Sequence, residues 1–262
     1  MIFALPALRE LELRLHEYAD FPFIARCLAG ICSLQKFKLE IQAQDVCSLS
    51  TPFKPSSYID CFRNIIARNP GLTHLSLPLF GRSYDLSLLL RDVPTDCPLK
   101  VKHLSLDGHF ELPDSVLPHV RSLESFSYGW SNSSAKWCTL FSREGIFPAT
   151  IQVSRLDKEI LSYLKQHPGI VSLTIPEGDD FALLGILAQN SKTLRRLVTK
   201  SPFLAKALQT AGNEINFLQF ENLRELVLYP CDLWKPAWSS PFKEIGDVSI
   251  SRTMIAPKRA CI

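Results

Sequence analysis

One six-residue pattern recurs along this 262-residue chain: apolar, two free positions, apolar, one free, apolar. It reads Leu8-Leu11-Leu13, Leu34-Phe37-Leu39, Leu72-Leu75-Leu77, Val101-Leu104-Leu106, Leu123-Phe126-Tyr128, Ile170-Leu173-Ile175 and Leu223-Leu226-Leu228. Weaker copies are Ile146-Ala149-Ile151, Leu194-Leu197-Thr199 and Ile245-Val248-Ile250. The starts fall at 8, 34, 72, 101, 123, 146, 170, 194, 223 and 245. Every interval but the one from 34 to 72 lies within the roughly 20–29 residues of a one-strand repeat. The long interval contains 45–55 (DVCSLSTPFKP), which reads as a loop insertion.

Between the patterns, helical spacing is visible. Tyr58 to Asn69 carries Ile59, Phe62, Ile65 and Ile66 on one face, and Asp157 to His167 carries Ile160, Leu161 and Leu164. Phe181 to Asn190 carries Phe181, Leu184, Ile186 and Leu187 after the acidic Asp179 and Asp180, which suit the positive end of a helix dipole. Two joins are nearly identical: NPGLTHLSLP (69–78) and HPGIVSLTIP (167–176). Pro-Gly stops a helix and turns the chain, and the final Pro withholds a ladder donor from the strand. A unit of one short strand and one amphipathic helix buries its apolar face only against neighbouring units. The chain is therefore expected to stack as a solenoid, with strands in one parallel sheet and helices behind it. The alternative is a doubly wound α/β domain, possible only with longer β-branched strands than these.

LPALRELEL (5–13), NPGLTHLSLP (69–78), VKHLSLDG (101–108) and FENLRELVLYPC (220–231) resemble irregular leucine-rich repeats of the ribonuclease-inhibitor-like type. The uneven unit lengths resemble the repeat regions of fungal F-box proteins. The resemblance implies an α/β leucine-rich-repeat horseshoe over 1–251, about ten units with the insertion near 45–55, a parallel sheet on the concave face and helices on the convex face. A short basic tail follows at 252–262. It further implies a protein-binding scaffold, with substrate recognition for an SCF-type ubiquitin ligase as its specific form. The first unit begins at Leu8, which leaves no room for an F-box of about fifty residues. A Skp1-type adaptor is therefore expected as a partner only if an F-box is missing from this chain, and a general interaction module or a gene fragment is the alternative.

Composition narrows the remaining classes. Hydrophobic residues make up 46% and charged residues 21%, enough apolar surface to exclude a disordered chain. The net charge of +3 is too small to predict a nucleic-acid or anionic-membrane partner. Eleven glycines against eighteen prolines argue for punctuation of short elements and against phosphate-cradling loops. The N-terminus lacks a basic start and its apolar run is broken at Pro6, Arg9 and Glu10, unlike a secretory signal. No stretch approaches the roughly 18 apolar residues of a membrane span. Cysteines at 27, 32, 47, 61, 97, 138, 231 and 261 show no Cys-x-x-Cys pair, so free thiols in a reducing cytoplasm or nucleus are expected. No Gly-x-Ser-x-Gly elbow, P-loop, dinucleotide fingerprint or His-Glu-x-x-His occurs, and Gly81-Arg-Ser83-Tyr-Asp85 misses its second glycine. No catalytic residue, metal or cofactor is assigned, and a hydrolase on an α/β fold is the least favoured reading.

The free positions within each strand point away from the core, because strand side chains alternate. They give Glu10, Glu12 and Arg14, then Lys36, Lys38 and Glu40, then His74 and Ser76, then His103, Ser105 and Asp107. Ser125 and Ser127, Ser172 and Thr174, Arg196 and Val198, and Glu225, Val227 and Tyr229 follow. The candidate partner-binding set is His74, Ser76, His103, Ser105, Asp107, Ser125, Ser127, Trp130, Ser172, Thr174 and Arg196. Small polar groups leave room for a protruding partner element, and charged ends are expected to set its orientation. A polar outward face is also what patterning alone requires. His74 and His103 hold the same repeat position and should sit about one strand spacing, ~5 Å, apart. Two histidines alone make a poor zinc site. Trp130, Trp137, Trp234 and Trp238 read as loop aromatics, with Trp130 as a possible interface anchor and Trp234 and Trp238 as packed over the end of the core.

Overall fold

The computed structural model describes residues 8–15, 28, 30–41, 55–77, 84–108, 110–129, 134–154, 156–167, 169–175, 180–199 and 220–228. The strands are β1 (Glu10–Leu15), β2 (Lys36–Ile41), β3 (His74–Leu77), β4 (Tyr84–Asp85), β5 (His103–Leu106) and β6 (Phe110–Glu111). They continue as β7 (Ser125–Tyr128), β8 (Thr150–Val153), β9 (Ser172–Ile175), β10 (Arg196–Thr199) and β11 (Glu225–Leu228). The helices are α1 (Pro55–Arg68), α2 (Ser87–Leu90), α3 (Leu117–Val120), α4 (Ser134–Glu144), α5 (Lys158–Gln166) and α6 (Asp180–Gln189).

Nine strands form one parallel sheet in the order β1-β2-β3-β5-β7-β8-β9-β10-β11, and β4 pairs with β6 in a separate two-stranded piece. A doubly wound sheet reverses its strand order at one point; this order runs with the chain throughout. Each repeat unit adds its strand beside the previous one, in a register that puts equivalent residues side by side. His74 lies opposite His103, Leu75 opposite Leu104, and Leu104 opposite Phe126.

Burial follows the alternation of the pattern. Strands β3, β5, β7, β8 and β9 each bury their second and fourth residues and leave the first and third partly exposed. The sheet thus has one packed face, where most all-parallel sheets have two. Helices lie behind the packed face: Phe62 of α1 meets Phe37 of β2 with ring centroids 6.0 Å apart. Phe126 of β7 meets Trp137 and Phe141 of α4 at 4.6 and 5.2 Å, edge to face. Local chemistry sets the helix ends. Asp157 caps α5 by accepting from the Ile160 N–H at 2.8 Å. Gly145, at φ +65°, closes α4: its N–H donates to Ser142 O and the Ile146 N–H donates to Phe141 O.

Four expectations are corrected. The sixth unit is Pro148-Ile151-Val153, two residues later than Ile146-Ala149-Ile151, because Ile151 and Val153 are the residues that strand β8 buries. In α6 the core is reached by Leu183, Ile186 and Leu187, while Leu184 is only partly buried. Trp137 sits in α4 and is buried, so it is a core residue rather than a loop aromatic. Val198 is also buried, although its strand position faces away from the leucine core; it stands between Thr174 and Val227. The insertion at 45–55, except Pro55 itself, the last repeat at 245–250 and the tail at 252–262 lie outside the described residues.

The units are pegged together by a second set of polar groups. Asn69, just after α1, accepts from the Leu34 N–H (2.7 Å) and donates to Ile31 O (3.1 Å) and Ile65 O (2.7 Å). Asn190, just after α6, accepts from the N–H groups of Gly169 and Ile170 (both 2.9 Å) and donates to Ile186 O (2.9 Å). His167 after α5 donates from Nε2 to Pro148 O (2.8 Å), and His119 of α3 accepts at Nδ1 from the Leu99 N–H (3.2 Å). Each peg leads into one strand and holds the segment leading into the strand before it. All four are buried. Burial without these bonds would cost roughly 1–3 kcal/mol for each orphaned group.

Candidate functional site

The unpacked face of the sheet carries two columns of side chains in register. The first runs Glu10, Lys36, His74, His103, Ser125, Thr150, Ser172, Arg196 and Glu225. The second runs Glu12, Lys38, Ser76, Ser105, Ser127, Gln152, Thr174, Val198 and Val227. Adjacent members of a column are one strand spacing apart, about 4.8 Å.

The β1–β2 end is an ion-pair lattice. Lys38 Nζ reaches Glu40 at 2.6 Å and Glu12 at 3.2 Å, Arg14 reaches Glu12 at 2.9 Å and Glu40 at 3.2 Å, and Lys36 reaches Glu10 at 3.4 Å. Hydrogen bonds from Arg14 and Lys38 hold the Glu12 carboxyl below its ordinary value, and the bond to Glu40 raises Lys38. Arg196 is tied to Glu225 at 2.8 Å. The charged ends of the face are thus already satisfied by their own neighbours.

Between them the face is uncharged and built of small groups. Ser76, Ser105, Ser127, Thr174, Ser125 and Ser172 occupy it as the spacing predicts, each partly exposed. Thr150 and Gln152 complete it. The repeat reading missed both because its sixth unit was placed two residues early. Pro148 as the first apolar member of Pro-x-x-Ile-x-Val was the signal that would have found them. Asp107 follows β5, at the edge of this patch. Its carboxyl packs against Gly129, where an added Cβ would come within 2.5 Å of Oδ1, and desolvation there raises its pKa. Only glycine leaves the carboxyl that space. Trp130, Trp234, Trp238 and Tyr229 lie outside the described residues.

His74 and His103 are brought together. Their rings stack with centroids 4.0 Å apart and planes 19° from parallel. Thr73 Oγ1 lies 2.9 Å from His74 Nδ1 and 3.2 Å from Gln35 O. Burial, then the neighbouring His103 and Lys36, hold His74 below the usual imidazole value. Lys102, beside the pair, is tied to Glu124 at 2.6 Å, which lowers that carboxyl. Among the described residues no group of three or more His, Cys, Asp or Glu side chains is placed to hold a metal ion. Among them also, no helix is long and apolar enough to cross a membrane. The arrangement presents hydroxyls, one amide and two imidazoles on the unpacked face.

No protein-family model, curated protein or solved structure matches the chain.

Proposed function

We propose that the chain is a leucine-rich-repeat solenoid whose open sheet face is concave and binds a partner protein without catalysis. The observation that carries this reading is the contrast across one sheet face. Its charged ends are internally paired, and eight small or amide side chains between them have solvent on one side. Helices are wider than strands, so units stacked in chain order with helices on one side curve toward the strands. A neutral, low-relief polar surface suits a protruding protein element, since docking there strips no charge of its water. Substrate recognition for an SCF-type ubiquitin ligase is the specific form, supported by the resemblance of the repeats to fungal F-box proteins. A Skp1-type adaptor would then join the complex through an F-box. The cytoplasm or nucleus is the setting, and neither nucleic acid nor a membrane is the partner.

Site-specific crosslinking tests it. A photo-crosslinking amino acid at Ser105 or at Ser127 should trap one and the same protein, and one at Lys158 on α5 should not. That protein, purified, should bind the wild-type chain and fail to bind Ser127→Arg. Trapping from Lys158 but from neither serine would move the site off the face. Binding with no adaptor in the complex would remove the ligase form and leave the interaction module.

A further inference from the structure

The His74–His103 stack is the one element of the central face with ring nitrogens held ready and unused. Among the described residues, His74 Nε2 and both ring nitrogens of His103 have no hydrogen-bond partner, while the lysines and carboxylates around them are engaged with each other. The facing charged groups are Glu10 and Lys36 from β1 and β2, Lys102 before β5, and Glu124 before β7. Together they sum to zero, so any charge the pair acquires is uncompensated until a partner supplies its opposite.

The geometry selects the ligand. Lone pairs lie in the ring planes, and two stacked, nearly parallel planes offer no common point at bonding distance for one metal ion. Two stacked imidazoles with centroids 4.0 Å apart can each present a ring N–H to one oxygen of the same carboxylate. The hydroxyl of Thr73 has one hydrogen and two claimants, His74 Nδ1 and Gln35 O. A proton on the ring settles that competition: Nδ1–H donates to Thr73 Oγ1, the hydroxyl hydrogen goes to Gln35 O, and Nε2–H is left for a partner.

We propose that the His74–His103 pair is the recognition point for an aspartate or glutamate side chain of the partner protein, which docks on the two imidazole edges as the pair takes up one proton. This rests on the reading of the open face as the partner-binding surface. Because the proton is bound on docking, affinity rises as pH falls, and a second proton on the adjacent ring is opposed by the first.

The probe is an acetylated, amidated tetraglutamate peptide, titrated into the full chain with labelled histidine rings and followed by NMR. Both ring signals should shift, and binding should be roughly tenfold tighter at pH 5.5 than at pH 7.5. His74→Asn should abolish that pH dependence and His103→Asn should weaken binding at pH 5.5, neither altering the circular dichroism spectrum. If the rings do not respond, or binding is independent of pH, the inference fails, while the crosslinks from Ser105 and Ser127 still decide the face. Tighter binding of a matched phosphoserine peptide would overturn the carboxylate assignment.

Discussion

Two rows of polar side chains run through this molecule with the same period, and they do opposite work. The inner row is Asn69, His119, His167 and Asn190, buried, each hydrogen-bonded to the unit before it. The outer row is His74, His103, Ser125, Thr150 and Ser172, in register on the unpacked face, where among the described residues His74 alone shares a side-chain hydrogen bond, with Thr73. The inner row turns its polar atoms to the fold, and among the described residues His167 Nδ1 alone of that row is buried without a partner. The outer row keeps its own in reserve. Polarity by itself therefore says little about role here; what separates the rows is whether the hydrogen-bonding capacity is consumed.

That contrast can be broken most severely at Asn190. Asn190→Ala orphans the N–H groups of Gly169 and Ile170 and should destabilise the chain by roughly 3 kcal/mol, read from the urea midpoint. A loss under about 1 kcal/mol would mean that the pegs do not hold the units together. The same row contains two residue types, and pH should divide them. Burial lowers the pKa of both His119 and His167. In the unfolded chain they protonate near 6.5, so below that pH the unfolded state binds more protons and stability falls as pH falls. The steepest slope is about 1.4 kcal/mol per pH unit for each histidine. Replacing both by Asn should flatten the dependence below pH 6.5 in thermal unfolding scans; an unchanged slope would put the acid sensitivity elsewhere. The smallest effect belongs to the outer row: Ser127→Ala should change stability by less than about 0.5 kcal/mol. A larger loss in the same assay would give that serine a share in the fold and blur the division between rows.

The outer row was far more legible in the sequence than the inner one. Leucines at period two with a fixed offset are a local signal, and they located eight of the nine strands of the main sheet, including the pairing of His74 with His103. The ninth, β8, was found in the right place but misregistered, because Pro148 is a poor match to leucine and Ile146 is a good one. The pegs are half legible: the repeated Asn-Pro-Gly and His-Pro-Gly joins read as turns, but nothing local gives the side chains before the prolines a partner. Their partners lie a whole unit upstream, and no short-range pattern connects Asn69 to Leu34. The polar run before Trp137 hides the start of α4, and the pairing of Lys38 with Glu12 depends on the register between β1 and β2.

Because the strands lie in chain order, no step between neighbours in the main sheet closes a loop longer than the one joining Lys36 to His74, with Thr73, 38 residues after Gln35, hydrogen-bonded to it. The entropy of closing a loop grows only with the logarithm of its length, so every such step costs nearly the same. Assembly needs no distant ends to meet. Strands in chain order let each one meet its sheet neighbour as soon as the next unit has been made, so the chain's order of synthesis is also an order in which its sheet can be built.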